Sequence, residues 1–188
     1  MTIVIEPYDE AWPARFRQLG GAIREALGDD ALRIDHIGST SVPGLVAKDI
    51  IDVQITVAAL DDRHLAGLTG IGATATAITT DHTPPGMSLP DEELRKRLYK
   101  LNPPTAANIH IREDGRFNQR YALLCRDYLR SHPDAADAYG EIKQQLARHL
   151  PDDVEAYYDV KDPTFDLFMA GARDWAEWTG WAPGPSDA

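Results

Sequence analysis

The chain predicts an α+β fold, a mixed sheet packed against helices with a helical C-terminal part, and three observations carry that expectation. Apolar and polar residues alternate from Ile51 to Val57, the period of a strand with one face on a core. Trp12, Phe16, Leu19, Ile23 and Leu27 recur every three or four residues, the stripe of an amphipathic helix. Strand-like patterns stop near residue 113, and only helical spacing follows. Strands and helices in separate blocks point to α+β rather than to alternating βα units.

In chain order, Thr2 to Ile5 reads as a short strand, and the Trp12–Leu27 stripe as a helix closed by Gly28-Asp29-Asp30. Leu32 to Ile37 reads as a strand entering a Gly38-Ser39-Thr40 turn, followed by the Ile51–Val57 strand. Asp61 to Leu68 is a short helix and Ala73 to Thr79 a strand. His82 to Pro90 holds three prolines and a glycine and reads as an exposed loop. Arg95–Leu101 and Asn108–Arg112 are two further strands about a Pro103-Pro104 turn, with Asn108, His110 and Arg112 on one face. Three helices follow, marked by Tyr121 to Leu129, Ala138 to His149 and Phe165 to Thr179. Residues 1–180 are expected to form one domain, with a sheet-rich core (1–113) and a helical part (114–180). Residues 181–188 are expected to be a loose tail.

Net charge is −11, from 19 basic and 30 acidic residues, and so acidic a chain repels phosphate backbones. General nucleic-acid binding is not expected. No apolar run approaches the roughly 18 residues of a membrane span, and Met1 to Glu6 carries no secretory pattern. Cys125 is the single cysteine, so neither an internal disulfide nor a cysteine-built zinc site is expected; it reads as a small buried hydrophobe. A cytoplasmic protein fits these features. Leu94–Arg126 nevertheless carries eight basic residues and two acids. That window is either a solvated surface or a local anion pocket suited to a small phosphorylated ligand.

Chemistry concentrates between His36 and Val57. Glycine at 38 lets backbone approach a ligand, Ser39 can cap a helical turn and donate to a phosphate, and Thr40 and Ser41 add hydroxyls. Taken alone, these residues make an ordinary capped turn. Asp52, thirteen residues after Ser39 on the polar face of a strand, changes the balance, because Mg²⁺ is held by one or two carboxylates plus substrate phosphates.

A Gly-Ser turn followed by an acid on the next strand resembles the active-site pattern of the nucleotidyltransferase superfamily. His36-Ile-Gly-Ser-Thr-Ser-Val-Pro-Gly-Leu, then Ala47-Lys48 and Ile51-Asp52, is similar to the signature of the GrpB-like family of predicted nucleotidyltransferases. Asn108-Ile109-His110-Ile111, Leu124 to Arg130, Tyr139 to Lys143 and Tyr158 to Lys161 extend the resemblance over nearly the whole chain. It implies a nucleotidyltransferase-like fold, transfer of a nucleotidyl group from a nucleoside triphosphate to a small acceptor, and assistance by Mg²⁺. Some members occur fused to dephospho-coenzyme A kinase, which implies a place near coenzyme A metabolism.

On this reading Gly38, Ser39, Thr40, Lys48 and Arg126 bind phosphate, Asp52 is the metal ligand, and Asp52 with His110 is catalytic. His36, Gln54 and Asn108 line the cleft. His36 and His110 could join Asp52 in a metal site, although structural histidines are the simpler expectation. Two departures stand out. The residue after Lys48 is Asp49, which faces away from Asp52 on a strand, and Gln54 stands where a second metal-binding acid belongs. Nor do the strands at 95–101 and 108–112 contain an acid that could serve as a third ligand. Gln54 therefore favours an alternative: a non-catalytic module that binds a phosphorylated metabolite or nucleotide. Trp175, Trp178 and Trp181 fit packing of the final helix better than base stacking.

Overall fold

Ile51–Val57 is the second strand, β2, of a computed structural model that describes residues 2–61 and 63–188. Among these residues it joins β1 (Arg33–Ile37), β3 (Thr74–Ala75), β4 (Arg97–Leu101) and β5 (Ala107–Glu113) in one sheet, ordered β1-β2-β5-β4-β3. β2 and β5 are parallel, and the other neighbours are antiparallel. The helices are α1 (Trp12–Leu27), α2 (Arg63–Gly70), α3 (Phe117–Ser131), α4 (Pro133–His149) and α5 (Val154–Thr179). The mixed sheet with helices against it is the α+β architecture read from the sequence.

The apolar face of β2 buries Ile51, Val53, Ile55 and Val57 completely, in a core shared with Trp12, Phe16 and Ile23 of α1. Each such aliphatic side chain contributes about 1.5–3 kcal/mol. The polar face is buried too. Gln54 and Thr56 are fully covered because α3 crosses them: Gln54 Nε2 donates to the Gln119 carbonyl at 3.1 Å, and Gln119 Nε2 to Thr56 Oγ1 at 3.4 Å. Only the Asp52 end of this face opens into a cleft. A second apolar cluster joins Val42 and Leu45 to Leu124, Leu129, Tyr139 and Met169 of the C-terminal helices.

Four local expectations are corrected. Thr2 to Ile5 is not a strand; Ile3 N donates to Pro151 O at 2.6 Å, and the next residue, Glu6, forms an isolated bridge with Ala47. The Ala73–Thr79 strand shrinks to Thr74–Ala75. α5 begins at Val154, well before Phe165, and runs through Pro163: Asp153 caps it by accepting from Ala156 N at 3.0 Å, and Tyr157 anchors its first turns in the interior. Residues 181–188 dock along β1 rather than hanging loose. Asp187 Oδ2 accepts from His36 N at 3.0 Å, and Ser186 Oγ donates to Ile34 O at 3.0 Å. β1 is an edge strand, and the tail satisfies backbone groups that the edge leaves unpaired.

No helix among the described residues is long and apolar enough to cross a membrane.

Candidate functional site

A cleft of about 550 Å³ lies between the Asp52 end of the sheet, the Gly38–Thr40 turn, residues 78–84 and the faces of α3, α4 and α5. The sequence builds its floor by register. Asp52 on β2 pairs with Ile37 of β1 on one side and Asn108 of β5 on the other, so Asp52, Asn108 and His110 share the open face. Asn108 Nδ2 donates to Asp52 Oδ1 at 2.9 Å, and His110 Nε2 stands 3.9 Å from the same oxygen. Burial pushes the Asp52 carboxyl up, but His110 and Asn108 outweigh it and hold the group below its ordinary value. Burial likewise lowers the His110 pKa.

The turn and the acid touch. Gly38 has φ 68°, and a Cβ there would collide with the Asp52 carboxylate, so only glycine permits both the backbone and the approach. Ser39–Ser41 then form one turn of 3₁₀ helix. Ser41 Oγ closes it by donating to Gly38 O at 2.6 Å, whereas Thr40 Oγ1 is engaged by His36 Nε2 at 3.0 Å.

Of the cations bordering the cleft near this turn, Lys48 is one the sequence named, whereas Lys143 and Lys161 are delivered by the fold. Lys143 of α4 is 2% exposed; its amine donates to Ser39 Oγ at 2.9 Å and to Val46 O at 2.5 Å, and lies 4.7 Å from the Tyr139 ring centre. Among the described residues it has no carboxylate partner. Burial first, and Lys161 second, lower its pKa to about 7. Lys48 lies over the Tyr157 and Tyr158 rings, 4.6 and 4.5 Å from their centres, and donates to Tyr158 Oη at 3.0 Å. Lys161, on the first half of α5, donates to Asp162 at 2.8 Å. Lys48, Lys143 and Lys161 all border the cleft. The resemblance to a known family is the one signal in the sequence that reaches Lys143 and Lys161.

Three expected site residues lie elsewhere. His36 faces the opposite side of the sheet from Asp52, because β1 alternates; it stacks on Phe16 at 4.7 Å, and burial lowers its pKa to about 4. A joint His36–His110–Asp52 metal site is thereby excluded. Arg126 is 4% exposed and points to the docked tail. Its Nε donates to Asp127 Oδ1 at 2.7 Å and its Nη1 to Asp187 Oδ2 at 2.8 Å, so it is structural rather than a phosphate ligand of the cleft. Gln54 does not line the cleft either. Its Oε1 accepts from Arg112 Nη1 at 2.6 Å, deep under α3.

Among the described residues, four of the eight cations of the basic window, Lys96, Arg112, Arg116 and Arg126, pair with acids, most of which lie outside it. Asp81 binds Arg112 (2.9 Å) and Lys96, and Glu93 and Glu113 bind Arg116 at 3.1 and 3.2 Å. Asp81 is a second acid at the cleft, brought in by the loop after β3 and not anticipated from sequence. Burial opposes its ionisation, but Arg112 and Lys96 prevail and hold it well below the carboxylate range. Asp49, as expected, turns away from Asp52, accepting from Trp12 Nε1 at 2.8 Å. Trp178 is 82% exposed, contrary to its expected packing role.

The donor set does not fit a protein-held Mg²⁺. Asp52 shares Oδ1 with Asn108, the Gln54 carbonyl is taken by a guanidinium, and Asp81 is saturated by two cations. Among the described residues, no three His, Cys, Asp or Glu side chains cluster to hold a metal.

Comparison with known proteins adds the family. The family model described as GrpB protein matches residues 2–170. A dephospho-CoA kinase of Mycolicibacterium paratuberculosis is 37% identical over 199 aligned positions, taking in 94% of this chain and 47% of that protein. UPF0157 protein BH1888 of Halalkalibacterium halodurans is 33% identical, over 92% of this chain and 83% of that one. The crystal structure of conserved protein GrpB from Enterococcus faecalis matches with a TM-score of 0.70 at 27% identity, covering 92% of this chain and 99% of that one. The chain spans about half the length of the dephospho-CoA kinases it matches. It belongs to the GrpB family.

Proposed function

We propose that this protein binds a phosphorylated small molecule, a nucleotide or a related metabolite, in the cleft, and that it does so without a protein-held metal. The observation that carries the reading is Lys143. A buried ammonium that has two hydrogen-bonding partners and, among the described residues, no carboxylate is suited to pair with an anion. Its neighbour Ser39 offers a hydroxyl at the same point, and Lys48 and Lys161 raise the local potential. The kinase names of the half-matched relatives favour an accessory role beside coenzyme A metabolism.

A second reading, nucleotidyl transfer, is favoured by the contact between Asp52 and the Gly38 turn. It requires a Mg²⁺ that arrives with the nucleotide and takes Asp52 as its one protein ligand. Thermal stabilisation by tripolyphosphate and by nucleoside triphosphates, with EDTA or with Mg²⁺, separates the two. The first reading expects a shift in EDTA that Lys143→Met removes. A shift that needs Mg²⁺ and is lost in Asp52→Asn would establish the second instead.

A further inference from the structure

The cleft has a second end. Phe117, Tyr121 and Cys125 all border it from α3, at i, i+4 and i+8, which spreads them over about 12 Å along the helix. Cys125 shares the cleft with the amines of Lys143 and Lys161. The Phe117 end is aromatic. Phe117 stacks on Tyr121 at 5.0 Å, and Tyr121 meets Phe165 of α5 edge-on at 5.6 Å. Hydrogen bonds steady this wall: Tyr121 Oη donates to Asp166 Oδ1 at 2.8 Å, and the same carboxylate holds His82 of the facing loop at 2.9 Å.

Beside the wall sits Asn118, 4% exposed and also bordering the cleft. Its Nδ2 donates to Asp81 Oδ2 at 3.1 Å and to Arg95 O at 3.0 Å. Both partners are pure acceptors, so the amide orientation is fixed by chemistry. Its Oδ1 is buried and has no hydrogen-bond partner among the described residues. A buried acceptor of this kind is costly unless something donates to it.

We propose that the Phe117–Tyr121–Phe165 wall receives a planar heterocycle and that Asn118 Oδ1 accepts from an exocyclic amino group on its edge. The ligand class is then a nucleotide whose base carries such an amino group, adenine, cytosine or guanine, extended along α3 with its phosphates at Ser39 and Lys143. The inference rests on the phosphate reading above for its cationic end. The separation of the two ends suits a nucleotide better than inorganic phosphate or a sugar phosphate. An aromatic face binds any base, so the wall supplies affinity while the single oriented acceptor supplies choice.

The test is calorimetric titration of the full chain in EDTA with tripolyphosphate, ATP, purine riboside triphosphate (the same ring without its amino group), CTP and UTP. ATP over purine riboside triphosphate, or CTP over UTP, is expected to bind about 3- to 10-fold tighter. Asn118→Ala should erase that ratio. Because that change also removes a donor to Asp81, Phe117→Ala serves as a second variant, expected to weaken the nucleotides about 10-fold or more relative to tripolyphosphate. Equal affinities within both pairs would overturn the Asn118 assignment, and nucleotides that bind no tighter than tripolyphosphate, or that Phe117→Ala leaves unweakened, would overturn the ring assignment; either result, with tripolyphosphate still bound, leaves the phosphate reading standing. Absence of binding by every probe would overturn both.

Discussion

Arg112 holds Gln54. The guanidinium donates to the Gln54 Oε1 at 2.6 Å while chelating Asp81 through Nε and Nη2 at 2.9 and 3.1 Å. The position that a second metal-binding acid would take is thus part of a buried cationic network. Gln54→Asp alone is expected to gain no Mg²⁺ affinity, because Arg112 neutralises the new carboxylate. It is also expected to lose about 1–3 kcal/mol of stability, since the Gln119 carbonyl forfeits its buried donor. Calorimetry with Mg²⁺ and a urea melt check both; Mg²⁺ binding by the single variant would refute this account of residue 54.

Asp81 is the counterion of that network. Asp81→Asn leaves Lys96 and Arg112, 6% and 5% exposed, without their carboxylate, and about 3–5 kcal/mol of stability should go with it. The pH dependence follows. The carboxyl is held well below its ordinary value of 3.8, so its contribution is complete above that value and is lost as pH falls through the range below it. Acid unfolding followed by circular dichroism should lose this component in Asp81→Asn.

Lys143 behaves in the opposite sense. Its folded pKa, about 7, lies under the ordinary 10.5, so between those values the unfolded chain binds the extra proton. Stability therefore rises with pH across that window, and the burial penalty is fully present below it. Lys143→Met should flatten this segment of the stability–pH curve and be the more stable form near pH 6. Equal slopes in the two proteins from pH 7 to 10 would mean that Lys143 keeps its proton in the fold.

Gly38→Ala is expected to destabilise by about 1–3 kcal/mol, through the positive φ of 68° and the collision with Asp52. Displacing Asp52 also opens the cradle, so phosphate binding should fall with stability. A variant that melts like the parent would show that the turn tolerates a Cβ.

The docked tail gives a separate check. Removing residues 182–188 deprives Arg126 of Asp187 and the edge of β1 of its partners. A loss of about 1–2 kcal/mol is expected, with faster amide exchange at Ile34 and His36. Unchanged exchange at those two amides would show that the segment is not held there.

The second strand and the first helix were legible because their periods are strong: the Ile51–Val57 alternation and the Trp12–Leu27 stripe needed no tertiary knowledge. The meeting of Gly38 and Asp52 was legible as a turn-plus-acid pattern. What stayed hidden depended on partners far along the chain. Strand alternation put His36 under α1, which requires knowing where β1 enters the sheet. Arg126 found Asp187 across 61 residues, and Asp81 found Arg112 across 31. The apolar spacing marked the last helix only from Phe165, yet the Asp153 cap and buried Tyr157 start α5 at Val154 and carry it through Pro163, and that extension brings Lys161 to the cleft.

The most direct measurement is calorimetric binding of tripolyphosphate in EDTA at pH 6 and at pH 9, with the parent chain and Lys143→Met. The parent should bind at pH 6, lose affinity by pH 9 as Lys143 gives up its proton, and take up protons on binding near neutrality. Lys143→Met should bind weakly at both values. Equal binding by the two proteins, or binding by the parent that appears only with Mg²⁺, would contradict the claim that this buried lysine is the anion site of the cleft.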